Sequence, residues 1–527
     1  MKRKIFALTM AAVMAVSLGA CGGGGSTSGS SAAGYEDPED LSELDYTFGE
    51  DTTFYSEEPV SYSLLYSDHE NYPYKEDWRL WSAIEEKTNV TFDISLVSRV
   101  DYDDKMSVTI NAGDAPYIIS KAYDETPYVD SGQIVAISDW VQYMPNYMKA
   151  VEEWGMEDDL KQLYQSDGKY YKLPGMWESA AGGYSMVIRK DVFDAAGVDV
   201  TELEKNWTWD DFIDALIKVK EYTGADYVWS DQFQGQAAIS ISAVQYGVTA
   251  GWGVGNGTAF DWDNSEFTFA DSSDSYKDFV TMWHRMYEEG LLDPESFTQD
   301  NEQGAAKFYR GETYVLSANY QNVADMISAN RMQDPNAELY FVVYPGGPKG
   351  HLQVESSRLE NGLMISQNAL DELGVEGETY ELDDEGNVVL NSDIYYNGIN
   401  PDATKQLNVD YGFGGGVFAY GGSDWLRFSK FTDGERDWNE RIYANTEPRE
   451  LDPPIMADEM QKEEMNLIQT PLIDYVNASC LQFISGDMDI EADWDEYVSQ
   501  CESKGSTEYI DMANEIFQDT KDILGME

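Results

Sequence analysis

Basic residues are scarce in this 527-residue chain: 34 Lys and Arg stand against 98 Asp and Glu, a formal charge of −64. A field of that sign repels phosphate backbones and excludes nucleic acid as a partner. Histidine and cysteine are rarer still, at three each. His69, His284 and His351 show no H-E-x-x-H or comparable metal spacing. No G-x-S-x-G elbow and no G-x-x-x-x-G-K-[ST] loop occurs, so the usual signatures of a nucleophile or a phosphate cradle are missing. With 98 carboxylates, some acid pair always sits at glycosidase spacing, and such pairs carry no information. No catalytic residue, metal or cofactor is expected. Long apolar runs are absent after the first twenty residues, which leaves no candidate transmembrane helix.

What is present is apolar and aromatic. Hydrophobic residues make up 42% of the chain and aromatics 13%, with 14 Trp and 36 Tyr, which excludes a mainly disordered protein. The length predicts two or more domains. The aromatic load suits a neutral, hydroxyl-rich ligand stacking on rings, whereas an anionic ligand requires a local basic pocket.

The chain opens with Lys2, Arg3 and Lys4, followed by an apolar run over residues 5–18, the layout of a secretory signal peptide. Leu18-Gly19-Ala20-Cys21 resembles a bacterial lipobox, in which Cys21 is diacylated and becomes the mature N-terminus. The alternative is an ordinary cleavage site with a chance cysteine. Residues 22–34 form a Gly/Ser tether and residues 36–58 are acidic, an arrangement suited to an anchored protein. Cys480 and Cys501 either pair or remain buried thiols, and their spacing leaves both options open.

From residue 60 onward, strands alternate with amphipathic helices. Strands are predicted at 60–66, 90–97 and 117–119, with a helix at 76–88 and another, capped by Asp101 and running to residue 112, between them. This βαβαβ order implies a parallel sheet. Residues 137–154 read as helix, and 169–173 as extended up to Pro174. Thr208-Trp209-Asp210-Asp211 forms a capping box, placing Phe212, Leu216 and Val219 inward. Residues 273–289 form another helix, with Phe279, Trp283 and Met286 on its apolar stripe. Strands follow at 313–316 and 339–343, a hairpin at 380–390, and helix from 458 onward. Trp78, Trp81, Trp209, Trp283 and Trp494 lie at helical spacing and are expected in the core. Asp487-Met488-Asp489-Ile490-Glu491-Ala492-Asp493 lacks the turn glycine of a calcium loop and reads as a helix start.

The motifs, in order, resemble a known family. Asn111-Ala112-Gly113-Asp114-Ala115-Pro116-Tyr117-Ile118-Ile119 is similar to a "GD-x-P-D-I" loop and strand, with Tyr117 replacing the usual acid. Asp167-Gly168-Lys169-Tyr170-Tyr171-Lys172-Leu173-Pro174 looks like "DGK-Y-Y-x-LP". Ile188-Arg189-Lys190-Asp191 with Thr208-Trp209-Asp210-Asp211-Phe212 resembles "RKD … TW-x-EF". Tyr287-Glu288-Glu289-Gly290-Leu291-Leu292-Asp293-Pro294 and Phe308-Tyr309-Arg310-Gly311-Glu312 are similar to later elements, and Phe483-Ile484-Ser485-Gly486 to the closing segment. Together they resemble the extracellular solute-binding lipoproteins of bacterial ABC importers, in the carbohydrate-binding branch (family 1). Two departures stand out. Gly374-Val375-Glu376-Gly377-Glu378-Thr379-Tyr380 follows Ser366 almost directly, so a preceding helix of longer members is short or missing. The calcium loop of alginate-type relatives has no counterpart near Gly224.

The resemblance implies an α/β, two-lobed periplasmic-binding-protein-like fold with hinge crossovers and a central ligand cleft. Residues 1–20 are the signal peptide and 21–59 the lipidated tether. Residues 60–176 and 360–445 form the first lobe, and 180–358 with 446–527 the second. Crossovers are expected at 175–183, near 358–363 and near 445–454. The implied protein is a monomeric receptor on the outer face of the cytoplasmic membrane, held by lipid alone. It passes an oligosaccharide to the permease subunits of an ABC transporter. An oligopeptide receptor and a cell-surface carbohydrate-active enzyme are the alternatives.

A sugar cleft requires flat aromatic faces beside carboxylates and amides. Trp177 and Glu178 follow the "LP" strand and are read as cleft residues, against a hinge-packing role for the Trp. Trp252 sits among glycines that cannot bury it, against a loop Trp plugging a minor core. Asn319, Tyr320 and Gln321 follow a strand where the family places a ligand-facing aromatic. Trp425 follows a glycine-rich stretch. Asp68 and His69 end the first strand, and Lys121 and Asp124 end the third, where parallel sheets place ligands.

Overall fold

The computed structural model describes residues 55–526, apart from internal segments at 70–71, 130–131, 181–183, 252–256, 320–322, 355–356, 364–378, 383–387, 401, 414–420, 430 and 450. Its first sheet is parallel, as the βαβαβ order predicts. Strand Val60–Asp68 lies between Val90–Ser98 and Ile118–Ile119, with helices Arg79–Thr88 and Tyr102–Asn111 as the connections. Alternate side chains leave a strand on opposite faces. Leu64, Tyr66 and Ile118 pack with Trp78, Leu80 and Ile84 on one face. Leu65 and Ile119 pack with Tyr102, Met106 and Ile110 on the other. Both faces are covered, as parallel sheets require. Trp81 is only partly buried, packed against the first of these clusters.

Two local readings change. Asp101 makes no side-chain cap to helix Tyr102–Asn111. A 3-10 turn, Arg99–Asp101, precedes that helix, so the free amide falls earlier, and the Ser98 hydroxyl accepts it from Asp101. The segment 137–154 is not one helix: two short 3-10 turns lead into Pro145–Trp154. Pro145 has no amide hydrogen to continue an earlier turn and instead occupies a first-turn position.

The second lobe has an antiparallel sheet. Tyr184–Arg189 is central, flanked by Val315–Asn319 and Leu339–Phe341. The capping box is realised: Asp211 donates its amide to the Thr208 hydroxyl at 3.2 Å, and Thr208 donates its own to the Asp211 carboxylate at 2.9 Å. Helix Trp209–Thr223 then buries Phe212, Leu216 and Val219, and helix Asp274–Glu288 buries Phe279, Trp283 and Met286. These residues share one large core with Trp207, Trp229, Phe308, Trp494 and Tyr497.

Helix Asp433–Asn445, placed in the first lobe by the sequence reading, contributes Trp438 and Ile442 to this second core. The Trp438 indole donates to the Val342 carbonyl at 2.9 Å. An aromatic stripe matches either lobe equally well in sequence, and only packing decides. Three helices end the fold, Glu459–Ser485, Ile490–Ser503 and Ser506–Leu524, with Cys480 and Cys501 as buried free thiols.

The segments read as the first two crossovers lie side by side. Leu173–Met176 pairs antiparallel with Leu359–Leu363, and Pro174 lies opposite Gly362. A Cβ on Gly362 would approach the Leu173 carbonyl oxygen to 2.5 Å, so this crossing requires glycine. Arg358 stitches the joint. Its guanidinium donates to the carbonyls of Trp154 at 2.7 Å and Gly155 at 2.8 Å, and pairs with the Asp159 carboxylate.

Candidate functional site

A cavity of about 440 Å³ lies between the lobes. Its first-lobe wall begins with Tyr123, Asp124, Glu125 and Thr126, which follow the third strand at the carboxyl end of the parallel sheet. Gln162, Tyr164 and Gln165 continue that wall. The second-lobe wall is the start of helix Glu459–Ser485. A second capping box sets its origin, with Gln461 donating its amide to the Asp458 carboxylate at 2.8 Å and Asp458 donating back to the Gln461 side chain at 3.0 Å. Four- and three-residue steps then bring Lys462, Asn466 and Gln469 onto one face, toward the cavity. Buried Tyr509 completes the lining on this side.

Charge is balanced across this cavity. Lys462 Nζ lies 3.1 and 3.2 Å from the two Asp124 carboxylate oxygens, joining the lobes. Burial opposes ionisation of Asp124, but the Lys462 ammonium and the Thr126 amide outweigh it, holding the carboxyl below its usual range. Lys172 Nζ lies 2.9 Å from Glu125, both side chains 8% exposed, and also donates to the Tyr123 carbonyl at 2.9 Å. The Gln162 side chain donates to the Asp452 carbonyl at 3.2 Å, a further tie between the walls.

Among the candidates read from sequence, Asp124 lines this cavity. Asp68 accepts the Tyr74 amide at 2.8 Å and so holds the loop after its strand. The His69 ring stacks on Tyr72 with centroids 4.1 Å apart, and the Lys121 ammonium lies 6.0 Å from the same Tyr72 ring. Lys121 is buried with a φ of 52°. Trp177 is 8% exposed in the hinge, its indole donating to Glu360 at 3.4 Å beneath the Arg427 guanidinium, 5.4 Å from the ring. Burial raises the Glu360 carboxyl above its usual range. Glu178 accepts the Asp424 amide at 2.8 Å. Asn319 ends its strand opposite Tyr184. Trp425 falls in the first turn of helix Asp424–Ser429. Cys21, Trp252, Tyr320 and Gln321 lie outside the described residues.

Asp231 supports the strand that leads to Asn319. It is 1% exposed and accepts the Ser317 amide at 2.7 Å and hydroxyl at 2.8 Å, while burial pushes its carboxyl up to about 6. Asp489 caps helix Ile490–Ser503 through the amides of Glu491 and Ala492, as a helix start does. Among the described residues no group of three or more His, Cys, Asp and Glu could hold a metal ion, and no helix is long and apolar enough to cross a membrane.

Gln162, Tyr164, Lys462, Asn466 and Gln469 were not legible as site residues. The available signal was the Asp458 to Gln461 cap followed by polar residues at 462, 466 and 469, a pattern equally suited to a solvated helix face.

A model of the family described as bacterial extracellular solute-binding protein matches residues 72–375. The chain is 22% identical over 312 residues to the lipoprotein LipO of Bacillus subtilis, covering 55% of this chain and 56% of that protein. An HMO-binding, ABC-transporter-associated solute-binding protein of Bifidobacterium longum infantis superposes with a TM-score of 0.65 at 16% identity, covering 88% of this chain and 99% of that one. The ABC-transporter substrate-binding protein FusA of S. pneumoniae, in complex with kestose, gives 0.60 at 17% identity with the same coverages. These superpositions show the two-lobed α/β fold.

Proposed function

The chain belongs to the bacterial extracellular solute-binding proteins, and from that premise we propose that it is a lipid-anchored, non-catalytic receptor for an oligosaccharide. The ligand is held between the lobes and delivered to an ABC transporter permease. The observation that carries this reading is the lining of the interlobe cavity. Gln162, Gln165, Asn466 and Gln469 supply amide donors and acceptors, Thr126 and Tyr164 supply hydroxyls, and Asp124 supplies a carboxylate. Sugar hydroxyls need that mixture, since each exchanges water bonds for protein bonds at little net gain. Tyr123, 59% exposed, offers a ring face for stacking. A volume of about 440 Å³ lies within the usual range for a small-ligand site. The HMO-binding and kestose-bound proteins of the same fold support a glycan, and the likeness to LipO supports the lipid on Cys21.

Calorimetric screening of the purified protein against oligosaccharides and peptides tests the reading. A glycan should bind and be recovered intact, Asn466→Ala with Gln469→Ala should weaken it at least tenfold, and Cys21→Ser should release the protein from membranes. Peptide binding without glycan binding, or cleavage of the glycan, would overturn it.

A further inference from the structure

Taking the sugar-receptor reading as its basis, we propose that Asp124 and Lys462 together form a charge filter that makes the cleft select neutral oligosaccharides over charged ones. Among the described residues four charged side chains line the cavity, and they cancel in pairs, Lys172 with Glu125 and Lys462 with Asp124. In a chain carrying −64, such local neutrality is a property of this surface and not of the average composition.

The two pairs differ in what a ligand can reach. Lys172 and Glu125 are each 8% exposed, and Lys172 also satisfies the Tyr123 carbonyl, so their charges are spent inside the first lobe. Lys462 and Asp124 are 39% and 55% exposed and come from opposite lobes, 338 positions apart in sequence. A ligand entering the cleft meets this pair directly.

A partly exposed ion pair is weak, and so contributes little to holding the lobes together. Its effect on selection is larger, because it acts through what is left behind. A carboxylated sugar that recruits Lys462 strips Asp124 of its counter-ion beside another anion. An amino sugar that recruits Asp124 strands Lys462 beside another cation. A neutral hydroxyl bonds the outer lone pairs of Asp124 without separating the ions. Discrimination therefore arises from the unpaired charge that a wrong ligand creates. The long-range field of the chain is screened within about 8–10 Å at ordinary salt, so these neighbours dominate inside the cavity.

The experiment compares trigalacturonic acid, the glucosamine trisaccharide, and a neutral panel of kestose, maltotriose, xylotriose and arabinotriose by calorimetry. The readout is the ratio of charged to neutral affinity, which a general loss of binding leaves in place. Asp124→Asn should raise the acidic-to-neutral ratio roughly five- to tenfold, as ~1 kcal/mol at a partly exposed charge gives. Lys462→Gln should lower that ratio and raise the glucosamine-to-neutral ratio by a similar factor. The double variant has no charge to strand, so both charged-to-neutral ratios should rise above the wild type's even where its affinities are lower. A cooperative melting transition in each establishes that all three proteins fold. Neutral binding by the wild type with ratios that stay fixed in every variant would overturn the filter and leave the receptor reading standing. Binding of no sugar of either kind by the wild type would overturn the receptor reading and the filter with it.

Discussion

The two lobes bury their apolar residues differently. The first divides them among separate clusters: one on each face of its parallel sheet, and a third around Tyr147, Val151 and Met156 beside the hinge. The second gathers Trp207, Trp209, Trp229, Trp283 and Trp438 into one large continuous core, with a smaller satellite cluster around Tyr509 and Phe517. A parallel sheet covered on both faces separates its own cores, whereas the antiparallel sheet here lets strands and helices from distant segments meet in one place. The first lobe should therefore unfold in smaller steps, and the second as a single cooperative unit.

Scanning calorimetry of core variants puts this contrast at risk most directly. Trp229→Ala in the second lobe should cost roughly 3–5 kcal/mol and lower one sharp transition. Ile110→Ala in the first lobe should cost roughly 2–5 kcal/mol and broaden a separate one. If either variant moves the whole melting curve together, the lobes fold as one unit and the contrast fails.

Arg358 is where the two regimes join, so its removal should sharpen the difference. Arg358→Met leaves Asp159, 7% exposed, without its guanidinium partner, at a cost of about 1–3 kcal/mol. The gap between the two transitions should widen. A uniform shift of both transitions would mean that Arg358 stabilises the two lobes equally and that its loss does not uncouple them.

A pH dependence carried mainly by buried carboxyls of the second lobe tests the contrast from another side. Burial pushes Asp271 up to about 7, Asp231 up to about 6 and Glu435 up to about 7. Unfolded carboxyls ionise near pH 4, so between about 4 and 7 the folded state holds more protons. The stabilisation is complete below that window and is lost as pH rises through it. The second-lobe transition should therefore fall between pH 5 and 7.5, and Asp271→Asn should flatten the slope. Asp124 behaves oppositely: its lowered carboxyl stabilises above about pH 4 and loses that contribution in acid. A second-lobe slope unaltered in Asp271→Asn would place the titration elsewhere.

The cavity lies between these unequal partners. Its first wall consists largely of loops and short turns off a divided lobe, while its second wall is a helix seated on a satellite cluster of Met465, Tyr509 and Phe517. This arrangement explains why Trp177, read as a ring of the cleft, is not among the residues that line the cavity. Its area draws Trp177 into the hinge, and modest amides such as Gln162 and Asn466 are left at the cleft.

Sequence by itself determined the elements whose bonds close within a few residues. The alternation from Val60 places Leu64 and Leu65 on opposite faces, and Thr208 with Asp211 starts a helix by a contact three positions long. It also determined the order of strands and helices that implies a parallel first sheet. Only the tertiary structure decided that helix Asp433–Asn445 packs in the second lobe, that Leu173–Met176 meets Leu359–Leu363, and that Lys462 faces Asp124 across 338 positions. The physical reason is range: caps and periodicity act through adjacent turns of backbone, whereas a cleft is made by chain segments that no local interaction relates.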